Sequence, residues 1–288
     1  MGSDNYSFEG RTVLICQLTD LHVRPFGIAC NRVSETNMMT ERALRAVAAF
    51  SPRPDVVLIT GDLTECGRPD EYDMVAEMID RAVKMPVYVI PGNHDRREVL
   101  RKKLSHLPGV SSDPHFIQYV IEDYPVRLVM LDSVVPGAGH GLLCEDRLNF
   151  LDATLAARPD KPTIVALHHP PFVCGIGHMD SINLRNADAF TAVIARHRQV
   201  ERILCGHHHR PVVARVAHAI ATIAPSVSHQ VEMTLDPAEP GAMVLEPPAF
   251  QLHRWTPAEG IVSHTVLVEK FPGPFPFITD PDYPGKPN

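Results

Sequence analysis

Short apolar runs alternate with helical patterns along the first hundred residues. Val13 to Leu18 is a mostly apolar run of strand length, as expected of a strand buried on both faces. After it, Met39, Ala43, Val47 and Phe50 recur on one face of a helix, with Ser34 placed as its cap. Val56 to Thr60 is a second strand. Pro69 opens a helix running to Val83, at the position where proline is tolerated. Val87 to Ile90 is a third strand and Arg96 to Leu104 a short helix. This β-α-β-α-β order predicts parallel strands joined by crossover helices.

The rhythm then changes. Phe116 to Ile121 and Val126 to Leu131 are strands a few residues apart, expected to pair antiparallel. Leu148, Leu151 and Leu155 share a helix face. A strand from Ile164 to Leu167, a helix from Ala187 to His197, and strands at Arg202 to Cys205 and Val212 to Val216 follow. Together these elements predict an α/β protein with two sheets packed face to face and helices outside. The pattern breaks between Ser226 and Pro248, a stretch rich in Pro and Glu with scattered Met. A strand pair, Phe250 to Trp255 and Ile261 to Val268, closes the regular part. The tail carries a proline about every third residue and is expected to be extended and polyproline-II-like. Its aromatics, Phe271, Phe275, Phe277 and Tyr283, suggest an arm docked on a surface. The expected division is a catalytic core over 11–225 and a cap or oligomerisation segment over 226–249. Closing strands then occupy 250–270, and a Pro-rich arm 271–288.

Composition narrows the class. The 288 residues are 44% hydrophobic and 21% charged, ordinary for a globular protein. A net charge of -7 lacks the basic footprint of a nucleic-acid polymer binder. The one basic run, Arg96, Arg97, Arg101, Lys102 and Lys103, reads most simply as a solvated helix face. No cysteine pair has metal-ribbon or redox spacing, though Cys66 sits in a loop and can pair. The N-terminus lacks the basic and apolar regions of a secretory signal, and no apolar stretch is long enough for a membrane helix. A cytoplasmic, non-membrane protein is the simplest expectation. The unusual count is histidine, 16 in all.

Those histidines are organised. Polar clusters directly follow five of the strands: Asp20-Leu21-His22, Gly61-Asp62, Gly92-Asn93-His94-Asp95, His168-His169-Pro170-Pro171 and Gly206-His207-His208-His209. Ligands bind where strands of open α/β sheets end, so these segments are expected to converge. Oxygen and imidazole donors without thiolate suit borderline transition metals. On regular strands Asp20 and His22 would share one face, as would His207 and His209, leaving His208 pointing away. Seven such donors exceed one tetrahedral ion and fit two ions sharing a carboxylate. Asp95 is placed either to orient His94 or to cap the helix that follows.

The ordered set D-x-H, GD, GNHD, HHPP and GHxH resembles the calcineurin-like metallophosphoesterase superfamily. Within it the chain is most similar to bacterial class III cyclic-nucleotide phosphodiesterases and the related glycerophosphodiesterases. The stretches GDLTECGRPDEY, YVIPGNHD, CGHHH, SHQV and the late LHR carry the likeness to the second group, which spans roughly residues 11 to 270. One departure is His208, where relatives often have Asn. The resemblance implies a four-layer α/β/β/α sandwich with a small cap. It implies one metal held by Asp20, His22, Asp62 and His209, and a second by Asp62, Asn93, His168 and His207, the ions being Fe, Mn, Zn or Co. Asp62 would bridge, His94 would face the substrate phosphate beside Asn93, and His229 would line the pocket. It also implies an oligomer. The expected reaction is in-line attack of a metal-bridging hydroxide on a small phosphodiester, with His94 as general acid or charge stabiliser. Two other readings remain open: a phosphomonoesterase or nuclease on the same core, and a non-catalytic metal-binding scaffold.

Overall fold

A computed structural model describes residues 11–280 and 282–285. The polar segment 1–10 and the last three residues of the arm lie outside the described residues. The elements run β1 (Val13–Leu18), α1 (Thr36–Ala48), β2 (Val56–Thr60), α2 (Pro69–Ala82), β3 (Val87–Ile90) and α3 (Arg97–Lys103). Next come β4 (Tyr119–Ile121), β5 (Arg127–Leu131), α4 (Glu145–Ala156), β6 (Thr163–Leu167), α5 (Gly177–Asp180) and α6 (Ala187–Arg196). The chain then forms β7 (Val200–Cys205), β8 (Val212–Val216), β9 (Ala219–Ile223), β10 (Gln230–Val231), β11 (Met243–Val244), β12 (Ala249–Thr256) and β13 (Gly260–Leu267).

Two sheets carry the structure. One has the order β13-β12-β1-β2-β3 and the other β4-β5-β6-β7-β9-β8. The strands β1, β2 and β3 are parallel, as are β5, β6, β7 and β9, while β4, β8, β12 and β13 run antiparallel to their neighbours. Alternation along β5 shows how the layers stack. Leu128 and Met130 join the core shared with the first sheet. Val129 and Leu131 turn the other way, towards Leu151, Leu155, Phe190 and Ile194 of α4 and α6. Helix α1 buries Ala43, Leu44 and Val47 on the first sheet's outer side. The result is the four-layer α/β/β/α sandwich, with every residue of β2, β3, β5 and β6 buried.

Three local readings change. Ser34 does not cap α1. Glu35 holds the cap position without a side-chain bond, and the Ser34 hydroxyl faces the sulfur of Met39. The basic run is not simply a solvated face. The Arg97 guanidinium forks onto the buried Asp132 carboxylate, and Arg101 donates to the carbonyls of Asp113, Pro114 and Phe116. The aromatics of the arm do not dock: Phe271, Phe275, Phe277 and Tyr283 are all exposed.

The 226–249 segment holds the two-stranded β10-β11 ribbon. Val231 packs with Ile176 and Met179, and Arg210 ties the ribbon down through the Val231 carbonyl and Glu246. All six cysteines are free thiols, with Cys66 exposed. No helix among the described residues is long and apolar enough to cross a membrane.

Candidate metal centre

The loops after β1, β2, β3, β6 and β7 bring their polar residues to one place. Asp20, His22, Asp62, His207 and His209 do not lie on regular strand. Each has left-handed backbone, with φ of 56°, 48°, 50°, 73° and 57°. Such strain costs about 1–3 kcal/mol per residue and tends to persist at functional sites. The two-residue spacing therefore converges through turns rather than by strand alternation. Close backbone approach also matters. A Cβ at Gly61 would strike the His168 ring, and one at Gly92 would strike the Asp62 carboxylate.

Asp62 stands in the middle. Its Oδ2 lies 3.7 Å from His22 Nε2 and 3.3 Å from His168 Nε2, while its Oδ1 accepts the His94 backbone N–H at 2.9 Å. On one side Asp20 Oδ1 lies 3.5 Å from His209 Nε2, and the His22 and His209 Nε2 atoms are 3.0 Å apart. On the other, His168 Nε2 is 3.2 Å from Asn93 Oδ1. His168 and His207 form a further donor group with His169. The seven sequence-predicted donors thus gather as two groups around one carboxylate.

The ring nitrogens facing away from this centre are each engaged. His22 Nδ1 donates to Glu65 Oε2 at 2.7 Å, and His168 Nδ1 to the Thr60 carbonyl at 2.8 Å. His209 Nδ1 donates to the His229 carbonyl at 2.8 Å, and His207 Nε2 to the Ile182 carbonyl at 3.2 Å. Each bond fixes a tautomer and, in the neutral ring, leaves a bare lone pair on the other nitrogen, the arrangement usual for metal-binding imidazoles. Lone pairs on His22 and His209 then face one another, and the His168 lone pair faces the oxygens of Asp62 and Asn93. With neutral rings, acceptors aimed at acceptors in a buried place call for a cation between them, a metal ion or in its stead a proton.

The electrostatics agree. Burial pushes the Asp20 carboxyl up to about 6, against the pull of His168. Burial also works against Asp62, yet His168 and His94 hold it well below the usual carboxylate range. Burial lowers His209 to about 3 and His207 well below the imidazole range, keeping both neutral as metal binding demands. Burial opposes charge on His22 and His168 too, but Glu65 and Asp62 raise the first to about 9 and Asp62 the second to about 9. The carboxylates draw positive charge into this centre. The residues present fit a pair of divalent or trivalent transition metal ions.

His94 lies at the edge, half-buried, its Nδ1 donating to the Glu65 carbonyl at 2.8 Å with the Glu65 carboxylate 3.4 Å away. It lines a cleft of about 520 Å³ with Glu65, Cys66, Asn93, Arg96 and Pro136. The His229 ring sits 4.8 Å from that of His209 and 5.3 Å from that of His22. Burial, with His209 and His22 close by, pushes it down to about 2.

Neither expected role for Asp95 holds. Its carboxylate accepts Leu63 N, Thr64 N, the Thr64 hydroxyl, Gly92 N and the Tyr72 hydroxyl. It therefore ties the turn after β2 to the turn after β3, and the cap position of α3 is held by Arg96 without a side-chain bond. Sequence reasoning missed Glu65, which holds both His22 and His94. Its only signal was an acidic residue three positions past Asp62. It also missed Ser226 and Ser228, whose hydroxyls both donate to the Asp20 carbonyl.

Comparison with known proteins decides the family. Residues 13–211 match the calcineurin-like phosphoesterase family. The chain belongs to that family. It is 35% identical over 270 residues to a probable glycerophosphodiester phosphodiesterase, GpdQ, of Arcobacter nitrofigilis, covering 93% of this chain and 98% of that one. It is 30% identical over 239 residues to the 3',5'-cyclic adenosine monophosphate phosphodiesterase CpdA of Escherichia coli K12, covering 81% and 85%. A dimetal phosphatase from Danio rerio shares the fold at 16% identity, with a TM-score of 0.61 over 89% of this calcineurin-like phosphoesterase and 99% of the zebrafish chain.

Proposed function

We propose that this calcineurin-like phosphoesterase hydrolyses small phosphodiesters, either glycerophosphodiesters or 3',5'-cyclic nucleotides, at a two-metal centre. One ion is held by Asp20, His22, Asp62 and His209, the other by Asp62, Asn93, His168 and His207. The single observation that carries this reading is the set of four imidazoles whose outward nitrogens are all engaged, leaving lone pairs turned on Asp62 and its neighbours. Two bound cations supply charge neutralisation for the phosphate anion and a lowered pKa for water, toward about 7.

The chain's own residues do the rest. Asn93 and His94 stand side by side at the cleft, so His94 Nε2 is available to the leaving oxygen. Doubly protonated, His94 would donate from Nε2 while Nδ1 stays on the Glu65 carbonyl, with the Glu65 carboxylate as its counter-charge. His229, kept neutral by burial, offers the substrate a hydrogen bond without competing charge. Arg96 is exposed at the cleft rim, suited to a polar leaving group. A cleft of about 520 Å³ fits a small diester better than a polymer, as does the acidic net charge. The 226–249 ribbon would cap the centre and join copies into a homo-oligomer, since it presents Met233, Leu235 and Leu245 to solvent.

A substrate panel tests the reading. On protein of known metal content, kcat/KM for glycerophosphoethanolamine, cyclic AMP or an activated aryl diester should exceed that of the matching monoester by at least about tenfold, roughly 1.4 kcal/mol. A monoester preference would sink the diesterase assignment. Glu65→Gln should weaken metal retention about 10- to 100-fold, because the His22 partner is a carboxylate–histidine pair. Competition with a chelator measures this, and unchanged retention would remove Glu65 from the account.

A further inference from the structure

A second donor cluster lies behind the GHHH turn, on the side facing away from Asp62. His208, fully buried, turns its ring towards the loop between β6 and α6. Its Nε2 meets Asn183 Oδ1 at 2.7 Å. The Asn183 amide is itself oriented, because its Nδ2 donates to the Phe172 carbonyl at 2.8 Å and to Asp180 Oδ1 at 3.2 Å. Asn183 Oδ1 can only accept, so His208 Nε2 carries the proton and Nδ1 keeps its lone pair. That lone pair faces Cys174 Sγ at 3.2 Å. The Asp180 carboxylate completes the group, with one donor atom of each residue within 4.8 Å of the others. It is fixed by the backbone N–H groups of Cys174 and Gly175 at 2.9 and 2.8 Å; Oδ1 also accepts from Asn183, and Oδ2 retains a free acceptor site.

We propose that Cys174, Asp180 and His208 form a third cation site, distinct from the two-metal centre, for a thiophilic divalent ion of the zinc or cobalt class. Sulfur, imidazole and carboxylate in one group suit such ions, whereas the two-metal centre has only oxygen and nitrogen donors. Tetrahedral bonds of usual length would set nitrogen and sulfur about 3.6 Å apart, so the present 3.2 Å needs only a small outward shift of the Cys174 loop. Asn183 acts as the outer partner that orients a metal-binding imidazole. Binding breaks the Cys174 Sγ–H bond. The proton leaves to solvent, and the sulfur lone pair forms the bond to the incoming cation. Cys174 and Asp180 are half-buried, so the ion can enter from solution and the fourth position is open to water. Occupancy would fasten the 174–183 loop to the turn that carries His207 and His209.

The test is a cobalt titration of the reduced, full-length protein, followed by absorption. Wild type should develop a sulfur-to-cobalt charge-transfer band in the near-ultraviolet, saturating at about one thiolate-bound ion per chain. Cys174→Ser should lose that band while keeping visible cobalt absorption from the oxygen and nitrogen centre, with phosphodiester turnover within about twofold. His208→Asn should also lose it. Cys66→Ser, which alters an exposed thiol away from the cluster, should keep it. A saturated wild-type protein without the band would overturn the proposal, as would a band that survives in Cys174→Ser.

Discussion

Asp62→Ala is expected to lower kcat for an activated aryl phosphodiester by at least about 10³-fold, with both metal sites emptied at ordinary metal concentrations. The size follows from position. Asp62 stands between the two donor groups, 3.7 Å from His22 Nε2 and 3.3 Å from His168 Nε2. It also receives the His94 N–H and so orients the substrate side. Removing it leaves His22, His168 and Asn93 aimed at empty space and strips the centre of a charge that burial otherwise disfavours. Metal content by elemental analysis and turnover should fall together. If turnover fell while two ions stayed bound, Asp62 would not be the shared ligand.

His94→Ala is expected to reduce kcat by about 10²- to 10⁴-fold while metal content holds near the wild-type value. His94 is half-exposed at the cleft, and its ring is held by the Glu65 carbonyl, close beside His22 and Asp62. A residue that touches the leaving oxygen and no ion should affect turnover more than metal retention. The contrast should sharpen with leaving-group basicity. An aryl diester, whose leaving oxygen needs little protonation, should lose less than a glycerophosphodiester. Equal losses for the two would argue that His94 stabilises charge on phosphate instead of protonating the leaving group. Collapse of metal content would show that it belongs to the centre's framework.

Much of this fold was legible because its strands are buried on both faces. Apolar runs marked β1, β2 and β3 to the residue, the half-exposed edge strand β8 was marked as well, and crossover helices followed from alternation. Strand β9 escaped because the two-residue turn before it, Ala217-His218, carries no Gly, Asn or Pro to signal a hairpin, the left-handed position being filled by Ala217. The donor set was equally legible in type and order. What the sequence could not convey was how the donors converge. Strand alternation predicted that Asp20 and His22 share a face, yet both lie past the strand in strained turns. The supporting bonds are long-range and leave almost no pattern: Glu65 to His22, Thr60 to His168, Ile182 to His207. Asp95 shows the same limit. Its place in GNHD suggested work on His94, whereas its partners come from residues 63, 64, 72 and 92. His208 was expected to point away from the metals, and the reason proves to be Cys174 and Asn183 on its other side.

The most direct measurement is turnover of an activated aryl phosphodiester by metal-stripped protein as manganese or cobalt is added back in counted equivalents. Activity should be near zero at the start and rise to a plateau as the oxygen and nitrogen centre fills with about two ions per chain. Full activity before any metal is added, with ion content shown to be nil, would contradict the account.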